Sequence, residues 1–261
     1  MLLVVDIGNT NTVLGVFNDK KLEFRYRVAT NLKRTSDELV ATLFNMFTIH
    51  NVDTDEIDDT IISSVVPDIM YSWQSCNRKL CGKEPIIIDY KTDTGITIDY
   101  GTPSQVGADR IVDAVAVYNK YGGPAIIVDM GTAITFDVIT SDGRYLGGSI
   151  APGIKIGQEG LFGMTAQLPK IELRVPDTAI AKTTPESINA GIVYGYIGLI
   201  DGLISQIEKE LHEKHGVVEE INVIATGGFS ELISNESKYI DIIEPDLMLD
   251  GLRIIYDRIK E

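Results

Sequence analysis

The chain opens on an apolar run, Met1 to Val5, that ends in Asp6, passes through the polar turn Gly8-Asn9-Thr10-Asn11 and resumes as Val13 to Phe17. Two apolar runs joined by a short polar turn predict an antiparallel hairpin. Asp6 stands where the first run gives out. Gly8 lets the backbone come close to a ligand, and Asn9, Thr10, Asn11 and Thr12 line the turn with amides and hydroxyls suited to phosphate oxygens. The same order recurs from Ile127 to Ile139, again an apolar run, Asp-x-Gly, a polar residue and an apolar run. Asp6 maps onto Asp129 and Gly8 onto Gly131, 123 positions on, and the register holds to Asn18-Asp19-Lys20 on Ser141-Asp142-Gly143. The repeat predicts two similar halves. A cleft between them, with one carboxylate and one polar turn from each, suits a nucleotide's phosphates and their cations.

Lys21 to Val28 reads as a third strand. Thr35 and Glu38 form a capping-box signature ahead of Leu39, Val40, Leu43, Phe44 and Phe47, whose spacing predicts one apolar helix face. Thr60 to Val66 reads as a buried strand, Pro67 opens a helix to about Cys81, and Pro85 to Ile88 is a short strand. The polar stretch from Lys91 to Gln105, which contains Tyr100-Gly101-Thr102-Pro103, reads as a loop entering a helix that starts near Gly107. That helix carries Ile111, Val112, Val115, Ala116 and Tyr118 inward and stops at Gly122-Gly123-Pro124.

The second half repeats the plan: a strand to Asp129, one from Ala133 to Thr140, one from Arg144 to Ile150, then a glycine-punctuated helix from Ile154 to Gly163. Pro169 to Pro176 shows no period. Thr184-Pro185 opens a long helix to about His215, with Thr184 as its cap. Gly191, Gly195, Gly198 and Gly202 fall on one stripe of it. Each glycine costs a helix about 1 kcal/mol, so close packing is expected there, from a neighbouring helix of the chain or from the matching helix of a second protomer. Asn222 to Ala225 reads as a buried strand running into Thr226-Gly227-Gly228, and a last helix covers about Met248 to Lys260. The expected domains are 1–117 and 118–261.

With 44% hydrophobic and 23% charged residues the chain has ample apolar mass for globular cores. A net charge of −15 argues against nucleic acid or an anionic membrane as partner. An anionic small molecule then needs local cations. The opening run is broken by Asp6, unlike a leader peptide, and no apolar stretch approaches the roughly 20 residues of a membrane span, so a cytoplasmic location is expected. Cys76 and Cys81 fit neither a redox pair nor a zinc knuckle and read as free thiols. His212 and His215 share a helix face without completing a metal site.

Asp6-Ile7-Gly8-Asn9-Thr10, Gly107-Ala108-Asp109-Arg110, Asp129-Met130-Gly131-Thr132 and Gly147-Gly148 through Pro152-Gly153, in this order, resemble the type III pantothenate kinases. The paired Asp-x-Gly hairpins and the late Thr-Gly-Gly turn place that family in the acetate and sugar kinase, heat-shock chaperone and actin superfamily. The resemblance implies an α/β fold of two ribonuclease-H-like halves, an actin-like ATPase duplication with the active site in the cleft between them. It also implies ATP-dependent phosphorylation of pantothenate to 4′-phosphopantothenate, the entry step of coenzyme A synthesis. A homodimer with no nucleic-acid or membrane partner is expected. The rival readings are a kinase or phosphatase for another small acid, sugar or polyphosphate, and a nucleotide-binding regulator that has lost turnover.

Asp109 begins a helix, where an acid suits the macrodipole, but Arg110 beside it opposes that dipole. An acid and a base together after a glycine suggest a site that deprotonates one group and recognises another. The resemblance implies that Asp109 is the base for the pantothenate hydroxyl and that Gly107, Ala108 and Arg110 hold the substrate; a guanidinium suits a carboxylate bidentately. It further implies an ATP-binding turn over Asp6, Ile7, Gly8, Asn9, Thr10, Asn11, Thr12 and Val13, with Thr132 on the nucleotide. Magnesium is expected on the phosphates, with Asp6 acting through water, and a monovalent cation, potassium or ammonium, on Asp129. No Walker A sequence is present. Tyr100 and Thr184 correspond to pantothenate contacts in the family, although a loop anchor and a helix cap would also account for them. Gly227 and Gly228 have a place beside adenine in the superfamily, and a plain strand-to-helix turn is the other reading.

Overall fold

The computed structural model describes residues 1–165 and 168–261. The chain divides into two compact units, Met1–Asn119 with Leu247–Glu261, and Lys120–Asp246.

In the first unit β1 (Leu2–Ile7), β2 (Asn11–Asn18) and β3 (Lys21–Ala29) form the predicted antiparallel meander, with Asp6 opposite Val13. The helix α1 (Ser36–Ile49) follows, then β4 (Asp59–Ser64), a 3-10 turn Pro67–Ile69 leading into α2 (Met70–Cys81), and β5 (Ile86–Ile87). The sheet order is β3-β2-β1-β4-β5, with β4 parallel to both β1 and β5. A two-residue strand, β6 (Thr97–Ile98), precedes α3 (Ala108–Tyr121), in which every residue from Ile111 to Val117 is buried.

Leu2 to Val5 and Ile7 are all buried, as a central strand covered on both faces requires. Leu3, Val5 and Ile7 meet Leu39, Leu43, Phe47 and Trp73 of α1 and α2. The opposite face is covered by the C-terminal helix Leu247–Lys260: a Cβ on Gly15 would lie 3.1 Å from both Leu249 Cδ1 and Val4 Cγ2. The expectation of 118–261 for the second half grouped this helix with that half. It packs instead on β1, β2 and β4, and its Gly251 abuts the Val112 carbonyl of α3.

The capping box of α1 forms as read from sequence: Thr35 Oγ1 accepts the Glu38 N–H, and the Glu38 carboxylate accepts the Thr35 N–H at 2.8 Å. One member of the expected apolar face is misplaced. Phe44 is 56% exposed, and Met46 takes its place inside. The buried stripe runs 39, 43, 46, 47 at helical spacing, and position 44 falls one step of about 100° past 43, off its edge.

The second unit repeats this order with β7 (Ala125–Met130), β8 (Ala133–Ile139) and β9 (Arg144–Pro152) antiparallel, then α4 (Ile154–Gly163) and the long α5 (Thr184–Lys214). β10 (Asn222–Thr226), α6 (Ser230–Ser234) and β11 (Ile242–Ile243) complete it. β10 is parallel to β7 and β11. Within the unit the order β11-β10-β7-β8-β9 is that of the first unit with corresponding strands in place, so the repeat read from two hairpins extends to the sheets.

Ile126, Val128 and Met130 pack on Ile192, Val193, Ile200 and Ile204 of α5. α5 has the length and apolar composition of a membrane span, with a mean hydropathy of 1.3 over its most apolar 18-residue window, contrary to the expectation from sequence that no stretch would approach one. A third of that window is buried, against the core of the unit. The cap of α5 is Thr183, not Thr184: Thr183 has extended backbone at φ −128°, and its hydroxyl accepts the Glu186 N–H. No other part of the described chain lies within 4 Å of a Cβ placed on Gly191, Gly195, Gly198 or Gly202, so the stripe is not covered by a helix of the same chain. Cys76 and Cys81 are free thiols, and burial pushes Cys76 up to about 12.

Candidate active site

At the tip of the first hairpin the Gly8 N–H donates to the Asn11 carbonyl at 3.0 Å, which closes the turn. Asn9, Thr10 and Asn11 are exposed, and Asp6 and Gly8 are half-buried. Ile7 is fully buried and Thr12 is 2% exposed, so these two side chains belong to the interior, and their share in any cradle is through the backbone. Thr30, which the sequence reading did not single out, stands behind the turn. It donates its N–H to the Thr10 carbonyl at 3.0 Å and its hydroxyl to the Gly8 carbonyl at 2.7 Å.

The start of α3 is set beside the end of β1 through Val65. Its N–H donates to the Ile7 carbonyl at 3.1 Å, and its Cγ1 lies 3.6 Å from the position of a Cβ on Gly107. Ligands of open α/β sheets bind at this edge, beyond the carboxyl ends of parallel strands. The Gly107 carbonyl accepts the first helical bond, from Ile111 at 3.2 Å. Asp109 folds back across the helix start, and its Oδ1 accepts the Arg110 N–H at 2.8 Å. Any Cβ on residue 107 would collide with that oxygen, so glycine there is a condition of the Asp109 conformation. Asp109 and Arg110 are half-buried, Ala108 is buried and Tyr100 is 38% exposed.

In the second unit Thr226 stands level with Asp129 across the parallel β7–β10 pair. Gly227 follows with φ at 92°, and a Cβ on it would lie 2.5 Å from Asp129 Oδ1 and 2.6 Å from the Met130 carbonyl carbon. Asp129 Oδ2 lies 3.3 Å from the Cβ position of Gly131. Asp129, Gly131 and Gly227 thus form one corner, with Thr132 and Gly228 exposed beside it. Thr184, no longer needed as a cap, is exposed in the first turn of α5.

Among the described residues no three His, Cys, Asp or Glu side chains converge as a metal cage. Asp6 and Asp129 each supply hard oxygen donors beside a polar turn. Each is a single carboxylate, which suits a cation completed by ligand oxygens and water better than one enclosed by protein.

Two sheets of one topology, each with an acid near the end of its central strand and a polar turn beyond it, define the fold class of the acetate and sugar kinases, heat-shock chaperones and actin. Solved structures agree on the fold. A protein of Campylobacter jejuni described as a Baf family transcriptional activator matches with a TM-score of 0.60 at 19% identity, over 99% of this chain and 100% of that one. The activator of the 2-hydroxyisocaproyl-CoA dehydratase from Clostridium difficile, solved with bound ADPNP, matches with a TM-score of 0.51 at 13% identity, over 99% of this chain and 95% of that one. The sequence model of the type III pantothenate kinases matches residues 2–206. A type III pantothenate kinase of Finegoldia magna is 51% identical over 257 residues, 98% of this chain and 97% of the relative. The chain belongs to the type III pantothenate kinase family.

Proposed function

We infer that this chain transfers the γ-phosphoryl group of ATP to the primary hydroxyl of pantothenate, forming 4′-phosphopantothenate and ADP at the entry to coenzyme A synthesis. The observation that carries this is family membership along nearly the whole chain, at 51% identity to a curated relative. The test is release of ADP across a panel of pantothenate, acetate and hexoses. Release with pantothenate is expected; release with a hexose and not with pantothenate overturns the reading.

In this reading Asp109 takes the proton from the attacking hydroxyl, and Arg110 binds the pantothenate carboxylate in a bidentate pair. Gly107 and Ala108 admit the substrate close to the backbone, and Tyr100 and Thr184 contact it. The fold-back of Asp109 over Gly107 supports the assignment, because it fixes a carboxylate where two parallel strands end. The turn from Asp6 to Val13 receives the ATP phosphates, Thr132 contacts the nucleotide, and Gly227 and Gly228 leave room for the flat adenine. Phosphoryl transfer is mainly positioning and neutralisation of charge, and a magnesium ion on the phosphates supplies part of the latter. Asp6 orients that ion through water, and Asp129 holds a monovalent cation. Exchange of potassium and ammonium for a bulky organic cation is expected to lower kcat/KM by at least tenfold; an indifferent enzyme removes the role given to Asp129.

The protein works as a cytoplasmic homodimer in this reading, with α5 against its counterpart. The uncovered glycine stripe supports it, as does the apolar cavity of about 420 Å³ beside that stripe, lined by Leu161, Ile188, Gly191, Ile192, Gly195 and Tyr196. Gly198→Trp is expected to shift the sedimenting species from dimer to monomer. A wild-type protein that sediments as a monomer at micromolar concentration overturns the assembly.

A further inference from the structure

The tip of the first hairpin is closed by a backbone bond from Gly8 to Asn11 and carries three exposed polar residues. Such a tip, left alone, samples many conformations, and a phosphate site needs donors fixed before the ligand arrives. Thr30 adds to that fixing. It follows directly on Ala29, the last residue of β3, and bonds the turn at three points: the Thr10 carbonyl, the Gly8 carbonyl and, at 2.9 Å, the Thr12 hydroxyl. The direction of the third bond follows from the second. A carbonyl only accepts, so the Thr30 hydroxyl gives its proton to Gly8, and Thr12 must be the donor to Thr30. The resulting relay, Thr12 to Thr30 to Gly8, ties the two sides of the turn together.

The second unit closes its turn from the same place by different means. Gly153 follows directly on Pro152, the last residue of β9, and a Cβ there would collide with the Thr132 carbonyl. In both units the residue after the third strand abuts the turn beyond the first, through a hydroxyl in one and bare backbone in the other. This recurrence indicates that bracing of the turn, and not a chance strand end, is what position 30 provides.

We propose that Thr30 is the positioning residue of the ATP-binding turn, setting the affinity for the nucleotide's phosphates without touching them. The proposal rests on the reading of Asp6 to Val13 as the phosphate cradle. Thr30→Val keeps the shape and the backbone bond and removes the hydroxyl; Thr30→Ser keeps the hydroxyl. In the full chain, Thr30→Val is expected to raise KM for ATP about tenfold and to leave KM for pantothenate within about twofold, and Thr30→Ser is expected to restore KM for ATP to within about threefold of wild type. An unchanged KM for ATP, or equal rises in both KM values, overturns the proposal. Asn9→Ala separates this failure from that of the cradle itself. If Asn9→Ala raises KM for ATP and Thr30→Val does not, only the bracing role falls; if neither raises it, the cradle falls with it. Should Thr30→Val fail to fold, Thr12→Val breaks the same relay at its donor and is expected to show the same split, and equal KM values to wild type there overturn the proposal.

Discussion

Asp109→Asn is expected to reduce kcat by about 10²- to 10⁴-fold, the range a positioned general base supplies, while ATP still binds. The amide matches the carboxylate in shape, and its oxygen still accepts the Arg110 N–H that Asp109 Oδ1 accepts at 2.8 Å. What is lost is the ability to take a proton. Pantothenate-dependent ADP release measures the fall, and ATP titration followed calorimetrically measures binding. Turnover within threefold of wild type would remove Asp109 as the base. A fall accompanied by lost ATP binding would instead make it a structural residue of the α3 start.

Gly227→Ala is expected to destabilise the second unit through backbone strain and crowding together. The residue sits at φ 92°, where a side chain is strained whatever the space, and the new Cβ would lie 2.5 Å from Asp129 Oδ1 and 2.6 Å from the Met130 carbonyl carbon. Backbone strain of about 1–3 kcal/mol adds to an overpacking penalty of about 1–3 kcal/mol. Because the obstacle is backbone on one side and the Asp129 carboxylate on the other, relief requires moving one of the two. A lowered unfolding temperature and a raised KM for ATP are both expected. Gly228→Ala is the control, since nothing lies within 4 Å of its Cβ position. If Gly227→Ala and Gly228→Ala unfold at the temperature of wild type, the crowding at the Asp129 corner is not what the geometry indicates.

The parts of the fold that are legible in sequence are those decided within a few residues. The capping box at Thr35 and Glu38, the two hairpins and the bounds of α4 all follow from local pattern. Where two neighbours satisfy the same local rule, the reading slips by one: Thr183 and Thr184 both precede Pro185, and the extended backbone of Thr183 decides which of them caps α5. The spacing sets Phe44 on one face with Leu39, Val40, Leu43 and Phe47, whereas the buried stripe is narrower and leaves it outside. Contacts distant in sequence were not legible at all. Nothing near Leu247 announces that its helix covers β1, and nothing near Thr30 announces the turn it braces. For Thr30 a signal did exist: extending the repeat past the third strand sets it opposite Gly153.

The placement of the helix Leu247–Lys260 bears on how the protein is made. Strands Leu2–Ile7 and Asn11–Asn18 leave the ribosome well before this helix, and the apolar surface around Val4 and Gly15 lacks its cover until the helix has been synthesised. The intervening unit, complete at Asp246, has all its own strands and helices available earlier. During translation the Lys120–Asp246 unit is therefore the first able to reach its finished form, and the unit begun earlier waits for Leu247–Glu261, leaving an interval in which a chaperone would find exposed hydrophobic sheet.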